Sequence, residues 1–167
     1  MGEKVTSNKL TLVLFEPRNG AFIGFMSIEG LISIEGDPEL VLRKAAKLYE
    51  HSIVMMRSLI AEMDAFRASR KPVPARKIWQ LGNVIFEMRE ELERLSLQLD
   101  GFYDHLVRDL GVKRKWLEKV IIFRRYVPEE ELIPQSLNWG RCEKGTRKVA
   151  ERLRDGLPID KALQAAL

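Results

Sequence analysis

A chain of 167 residues that is 46% hydrophobic can bury a core of its own and fold as a compact domain without cross-links. Its single cysteine, Cys142, excludes a disulfide framework and a cysteine zinc site, and no apolar run reaches the length of a membrane-spanning helix. The start, "MGEKVTSNKLTLVLFE", lacks the basic, apolar and small-residue regions of a secretory leader, so a soluble cytoplasmic protein with no membrane partner is expected.

The first 36 residues read as a β-meander. "KLTLVLFE" and "GAFIGFMSI" are rich in β-branched and aromatic residues and flank "PRNG", whose Asn19-Gly20 pair suits a tight hairpin turn. "LISIE" follows as a third strand. Three apolar strands cannot cover both of their own faces, so the expected meander over 1–36 calls for a covering helix or a second copy of the chain, and a homodimer is the expected assembly.

Residues 37–99 read as a long helical hairpin. Asp37 is a capping residue ahead of Pro38, and the helix that follows runs to about Ser69, with Val41, Ala45, Leu48, Ser52, Met55, Leu59, Met63 and Phe66 as its inner stripe. After "KPVP", a second helix carries Ile78, Leu81, Ile85, Met88, Leu92, Leu95 and Leu99 in a strict seven-residue repeat. That narrow seam suits packing within the hairpin better than a coiled coil between chains.

Residues 100–167 hold the charge. Between Gly101 and Pro128 stand seven basic residues, Arg108, Lys113, Arg114, Lys115, Lys119, Arg124 and Arg125, against Asp104, Asp109 and Glu118, which equals the whole net charge of +4. In "FYDHLVRDLGVKRKWLEKVII", Leu106, Val107 and Leu110 form an apolar face, Gly111 and Val112 a turn, and Leu117, Val120 and Ile121 a second face. That is the pattern of a helix-turn-helix. It is similar to phage repressors of the Cro type, with Val107 where those proteins favour alanine. In such a motif the second helix enters the major groove and presents the side chains of its first turns, here Lys113, Arg114 and Lys115, with Lys119, Arg124 and Arg125 further on; Arg108, at the end of the preceding helix, is an expected DNA contact beside them. The absence of Asn, Gln or Ser among them favours phosphate and shape recognition over base reading. Trp116 reads as a packing residue at the core or its rim.

A wider resemblance covers roughly half of the chain. From Ala75 onward, "ARKIWQLGNVI" with Trp79 and Gly82, "HLVRDLG" before an arginine-rich helix, and "LNW" after a proline-punctuated linker resemble the N-terminal helical domain of YhcG-like proteins. The resemblance implies a DNA-binding domain tied to mobile elements or restriction-like systems, normally beside a nuclease domain of the PD-(D/E)xK type. This chain has no room for that domain, so a nuclease would be a separate protein partner. Downstream, "RCEKGTRKVAERLR" supplies an additional basic surface with Arg141, Lys144, Arg147 and Lys148, and "KALQAAL" after Asp160 reads as a short closing helix.

Catalytic chemistry finds no foothold. No acidic residue stands two positions before a lysine, as that nuclease type requires, and in "GRCEKGT" Lys144 precedes the second glycine where a phosphate-binding loop places it after. His51 and His105 lack partners at metal-ligand spacing. The expectation is therefore an α+β, mainly helical protein that binds duplex DNA, with no catalytic residue, metal or cofactor. The alternative is a helical adaptor subunit that binds another protein or RNA.

Overall fold

The computed structural model describes residues 13–15, 24–26, 38–95, 97–98 and 101–158. Among them are five α-helices: α1 Pro38–Ala68, α2 Ala75–Arg94, α3 Phe102–Leu110, α4 Arg114–Tyr126 and α5 Thr146–Arg154. The α+β class with an N-terminal three-stranded sheet is thereby corrected to a mainly helical one. Among the described residues, strand pairing involves two segments of three residues, β1 Val13–Phe15 and β2 Gly24–Met26, and one of two residues, β3 Leu97–Gln98. Among the described residues these pairings make no sheet layer, and helix dominates. A short apolar run does not by itself distinguish a sheet strand from other buried structure. The Asn19-Gly20 turn, the "LISIE" strand, the Asp37 cap and the closing helix after Asp160 lie outside the described residues.

The two long helices form where the apolar periodicity put them. The seam positions Ile78, Leu81, Ile85, Met88 and Leu92 are all buried, so this face serves the chain's own core. The helix ends at Arg94, earlier than the repeat implied; Leu95 is half-buried in a turn and Leu99 is outside the described residues. In α1 the buried positions are Ala45, Tyr49, Ser52, Ile53, Met56 and Met63, whereas Met55, expected inside, is exposed. A straight helix of 3.6 residues per turn drifts steadily away from a 3.5-residue stripe, which moves burial from Met55 to its neighbour.

The chain divides into two compact units. The first combines residues 1–54 with 87–111. Its described core holds Ala45, Tyr49, Ile53, Met88, Leu92, Phe102 and Leu106. Tyr49 donates its hydroxyl to Asp109 Oδ2 at 2.5 Å, which ties the end of α3 to α1. Arg89 donates to the Tyr103 hydroxyl at 2.6 Å, and its guanidinium lies 5.4 Å from that ring's centroid.

The second unit combines residues 55–86 with 112–167. α1 ends in it with a left-handed C-cap: the Lys71 N–H bonds the Phe66 carbonyl and the Arg70 N–H the Arg67 carbonyl, with Arg70 at φ +57°. That position ordinarily takes glycine. The chain then turns into α2, and Lys77 pairs with Glu62 across the turn. The proline-punctuated stretch after α4 returns to the start of α2 and supplies the partners its free backbone groups need. The Ala75 N–H bonds the Leu137 carbonyl at 2.9 Å, the Trp139 N–H bonds the Val73 carbonyl at 2.8 Å, and Arg76 Nε bonds the Ile133 carbonyl at 2.7 Å.

α2 and α4 meet at Gly82. A Cβ built there would lie 2.7 Å from Arg124 Cβ and 3.0 Å from the Val120 carbonyl oxygen. One turn before it, Trp79 donates its indole N–H to the Val127 carbonyl at 2.8 Å. Both residues that stand out in "ARKIWQLGNVI" therefore hold one helix against the other. Gly82→Ala should destabilise the protein by ~1–3 kcal/mol, the usual cost of overpacking a close contact. Arg70→Gly should stabilise it by about 1 kcal/mol, because glycine carries no penalty in the left-handed region. Chemical denaturation of the two variants beside the parent checks both signs.

Candidate nucleic-acid interface

The sequence expects two short helices around Gly111, and both are present. Gly111 caps α3 at φ +64° and donates its N–H to the Arg108 and Val107 carbonyls. A Cβ there would meet nothing within 4 Å, so glycine is favoured at this position by its backbone angle and not by lack of space. α3 belongs to the first unit and α4 to the second.

α4 opens without a side-chain cap. Lys113 takes an extended conformation ahead of the first turn, no acidic residue occupies that turn, and Lys113, Arg114 and Lys115 are all exposed. Arg114 Nε lies 3.4 Å from Glu118 Oε1 one turn later. An exposed pair of this kind is worth roughly 0–1 kcal/mol.

Spacings of four, three and four residues put Lys115, Lys119, Ile122 and Tyr126 along one flank of α4. The segment leading into α5 lies beside that flank. Lys119 Nζ is 4.0 Å from Glu143 Oε1, and the Arg147 guanidinium carbon sits 5.0 Å from the centroid of the Tyr126 ring. α4 and α5 pack together, with Leu117, Val120, Phe123, Val149, Ala150 and Leu153 buried on them. The two basic stretches of the sequence are thus joined in one unit. Lys144, Arg147 and Lys148 are exposed at the start of α5, where Arg147 pairs with Glu151 at 2.9 Å, and Arg141 is exposed on a 3₁₀ turn, Trp139–Arg141.

Two of the expected contact residues stand apart. Arg108 is on the last turn of α3 in the first unit, exposed, with Nη2 2.9 Å from His105 Nδ1 and Nε 3.5 Å from Asp109 Oδ1. Arg124 is turned into the protein: Nε donates to Asn83 Oδ1 at 2.8 Å, and the guanidinium carbon lies 5.0 Å from the Trp79 ring centroid and 4.5 Å from that of Phe86. Adjacent arginines thus do different work, since Arg125 is exposed on the last turn. Without Arg124, α4 and its cap present five basic residues against Glu118 alone.

Beside the start of α4 is an open cleft of about 360 Å³, lined by Arg67, Lys71, Trp116, Asn138, Trp139 and Glu143, among others. Arg67 and Lys71 were not legible as neighbours of this region, because only the turn after α1 brings them there. Among the described residues no cluster of three or more potential metal ligands occurs, and no helix is long and apolar enough to cross a membrane. Comparison with protein-family models, curated proteins and solved structures finds no match.

Burial pushes the Cys142 thiol up to about 12, from an ordinary value of 9.0. Its Sγ lies within the core, 3.5 Å from the Asn138 carbonyl oxygen. Native protein at pH 8 should therefore react with a soluble disulfide reagent orders of magnitude more slowly than the same protein in denaturant. Because the folded state holds this proton more tightly, the contribution of Cys142 to stability should be fully present below pH 9 and fall away between about pH 9 and 12. Arg124→Ala should lower stability by ~1–3 kcal/mol through loss of the stacked, hydrogen-bonded guanidinium, whereas Arg125→Ala should leave the melting temperature unchanged.

Proposed function

We propose that this chain is a non-catalytic duplex-DNA-binding protein. It grips phosphates with the uncapped, cationic first turn of α4 and extends that grip along the flank shared with α5. The observation that carries the reading is the charge placement at the start of α4. A helix N-terminus bears partial positive charge, and cations there oppose the dipole at a cost of ~0.3–1 kcal/mol each. Lys113, Arg114 and Lys115 occupy that end with no acidic residue and no side-chain cap among them. An anion placed there offsets the repulsion and accepts the first-turn N–H groups, and phosphate oxygens suit such an end. Lys119, Arg125, Lys144, Arg147 and Lys148 supply further positive charge on the same unit.

Contacts of this kind fix position without reading sequence, so recognition rests on the backbone and on DNA shape. Arg124 takes no part, being engaged with Asn83, Trp79 and Phe86. Arg108 is left as a contact of the first unit. The resemblance from Ala75 onward supports a setting in which a nuclease acts at the DNA this protein holds.

The test is a titration of a fluorescent 20-base-pair duplex over a series of salt concentrations. Affinity should fall steeply, because each neutralised phosphate adds about 0.9 to the slope of log affinity against log salt. Arg114→Ala combined with Lys115→Ala should weaken binding and reduce that slope by close to two contacts. An unchanged slope in a double variant with a normal melting profile would overturn this reading in favour of an adaptor subunit.

A further inference from the structure

We infer that the cleft beside Trp116 takes one unpaired nucleobase, so that the preferred ligand is a duplex with an overhanging or unstacked base and not an unbroken one. The inference rests on the DNA-binding reading and names the form of DNA that this same unit prefers. The cleft, at about 360 Å³, is within the range of roughly 300–1,000 Å³ typical of small-ligand sites and is open to solvent. Trp116 is half-buried in its wall and follows directly on Lys115, so a strand whose phosphates rest on the first turn of α4 passes its mouth. An indole face is the surface on which any base stacks, and such stacking tolerates every sequence.

The rest of the lining suits a nucleotide. Lys71 and Arg67 bring positive charge from the turn after α1; Arg67 shares an exposed pair with Asp64, which weakly restrains it. Asn138 and Glu143 offer polar groups that can meet a base edge. Trp139 closes another wall with its ring edge-on to Phe123. Its indole N–H is the single fully buried side-chain polar atom without a hydrogen-bond partner among the described residues. A cleft lined by two indoles, flanking cations and polar side chains is ill suited to hydrocarbon and suited to a flat, acceptor-rich, anionic ligand.

The test compares a blunt duplex with the same duplex carrying a three-nucleotide single-stranded overhang, using the full chain. The parent should prefer the overhang by roughly tenfold, toward the low end of what one stacked base contributes. Trp116→Ala should abolish that preference and leave the blunt duplex bound as before, and Lys71→Ala should reduce it. 2-Aminopurine placed in the overhang gives a readout that needs no variant: its emission should be quenched on binding. Equal affinity of the parent for both duplexes, a preference that survives Trp116→Ala, or unquenched 2-aminopurine would each overturn the inference while the phosphate grip stands. Failure of the parent to bind either duplex would overturn the DNA-binding reading itself, and this inference with it.

Discussion

The second unit depends on how closely α4 approaches α2 at Gly82. With no side chain there, the Arg124 stem and the Val120 carbonyl come within a distance that a methyl group would forbid. The closeness is then exploited on both sides: the Trp79 N–H reaches the Val127 carbonyl, and the Arg124 guanidinium lies against two aromatic rings. Because α4 also carries the exposed cations of its first turn, the same contact that sets the core also sets how that turn is presented. A change at Gly82 would therefore act on binding geometry as well as on stability.

The charge of α4 is sorted by depth and by position along the helix. Arg124 contributes packing, through its stem and its stacked guanidinium, and its charge is answered locally by Asn83 and the ring faces. The N-terminal cations Lys113, Arg114 and Lys115 are exposed. They stand where the helix dipole disfavours them, and local rules of this kind are most often broken where a protein meets something else. The exposed pairs Arg114–Glu118 and Arg147–Glu151 keep the surface soluble without holding it shut.

Much of the helical order was legible because its signals are local. The end of α1 near Ser69, the seam from Ile78 to Leu92 and the break at Gly111 follow from apolar spacing and from a glycine where the backbone turns left-handed. The misreadings have a shared cause in contacts made far along the chain. A three-stranded sheet of the first 36 residues was expected, yet the described pairing of β1 with β2 goes on to Leu97–Gln98, from a run whose heptad spacing argued for helix. Arg124 and Arg125 are indistinguishable by composition, and only the approach of Asn83, Trp79 and Phe86 separates an internal clasp from a surface charge. The cleft beside Trp116 was illegible for the same reason, since its walls come from segments that the sequence keeps far apart.

The backbone bonds that seat the start of α2 have a consequence for how the chain acquires its structure. Arg76 finds its carbonyl partner 57 residues later, at Ile133, and Trp79 finds its own 48 residues later, at Val127. Neither compact unit is continuous in sequence, for each takes one piece of chain from before residue 87 and another from after it. During synthesis, α1 and α2 therefore emerge long before the segments that complete their cores, and their apolar seams must wait uncovered. Folding of this kind pays its loop-closure entropy before the distant contacts repay it, which slows it and lengthens exposure to misassociation. A nascent chain halted short of residue 137 would leave Val73 and Ala75 without their backbone partners at Trp139 and Leu137, and the second unit without part of its core.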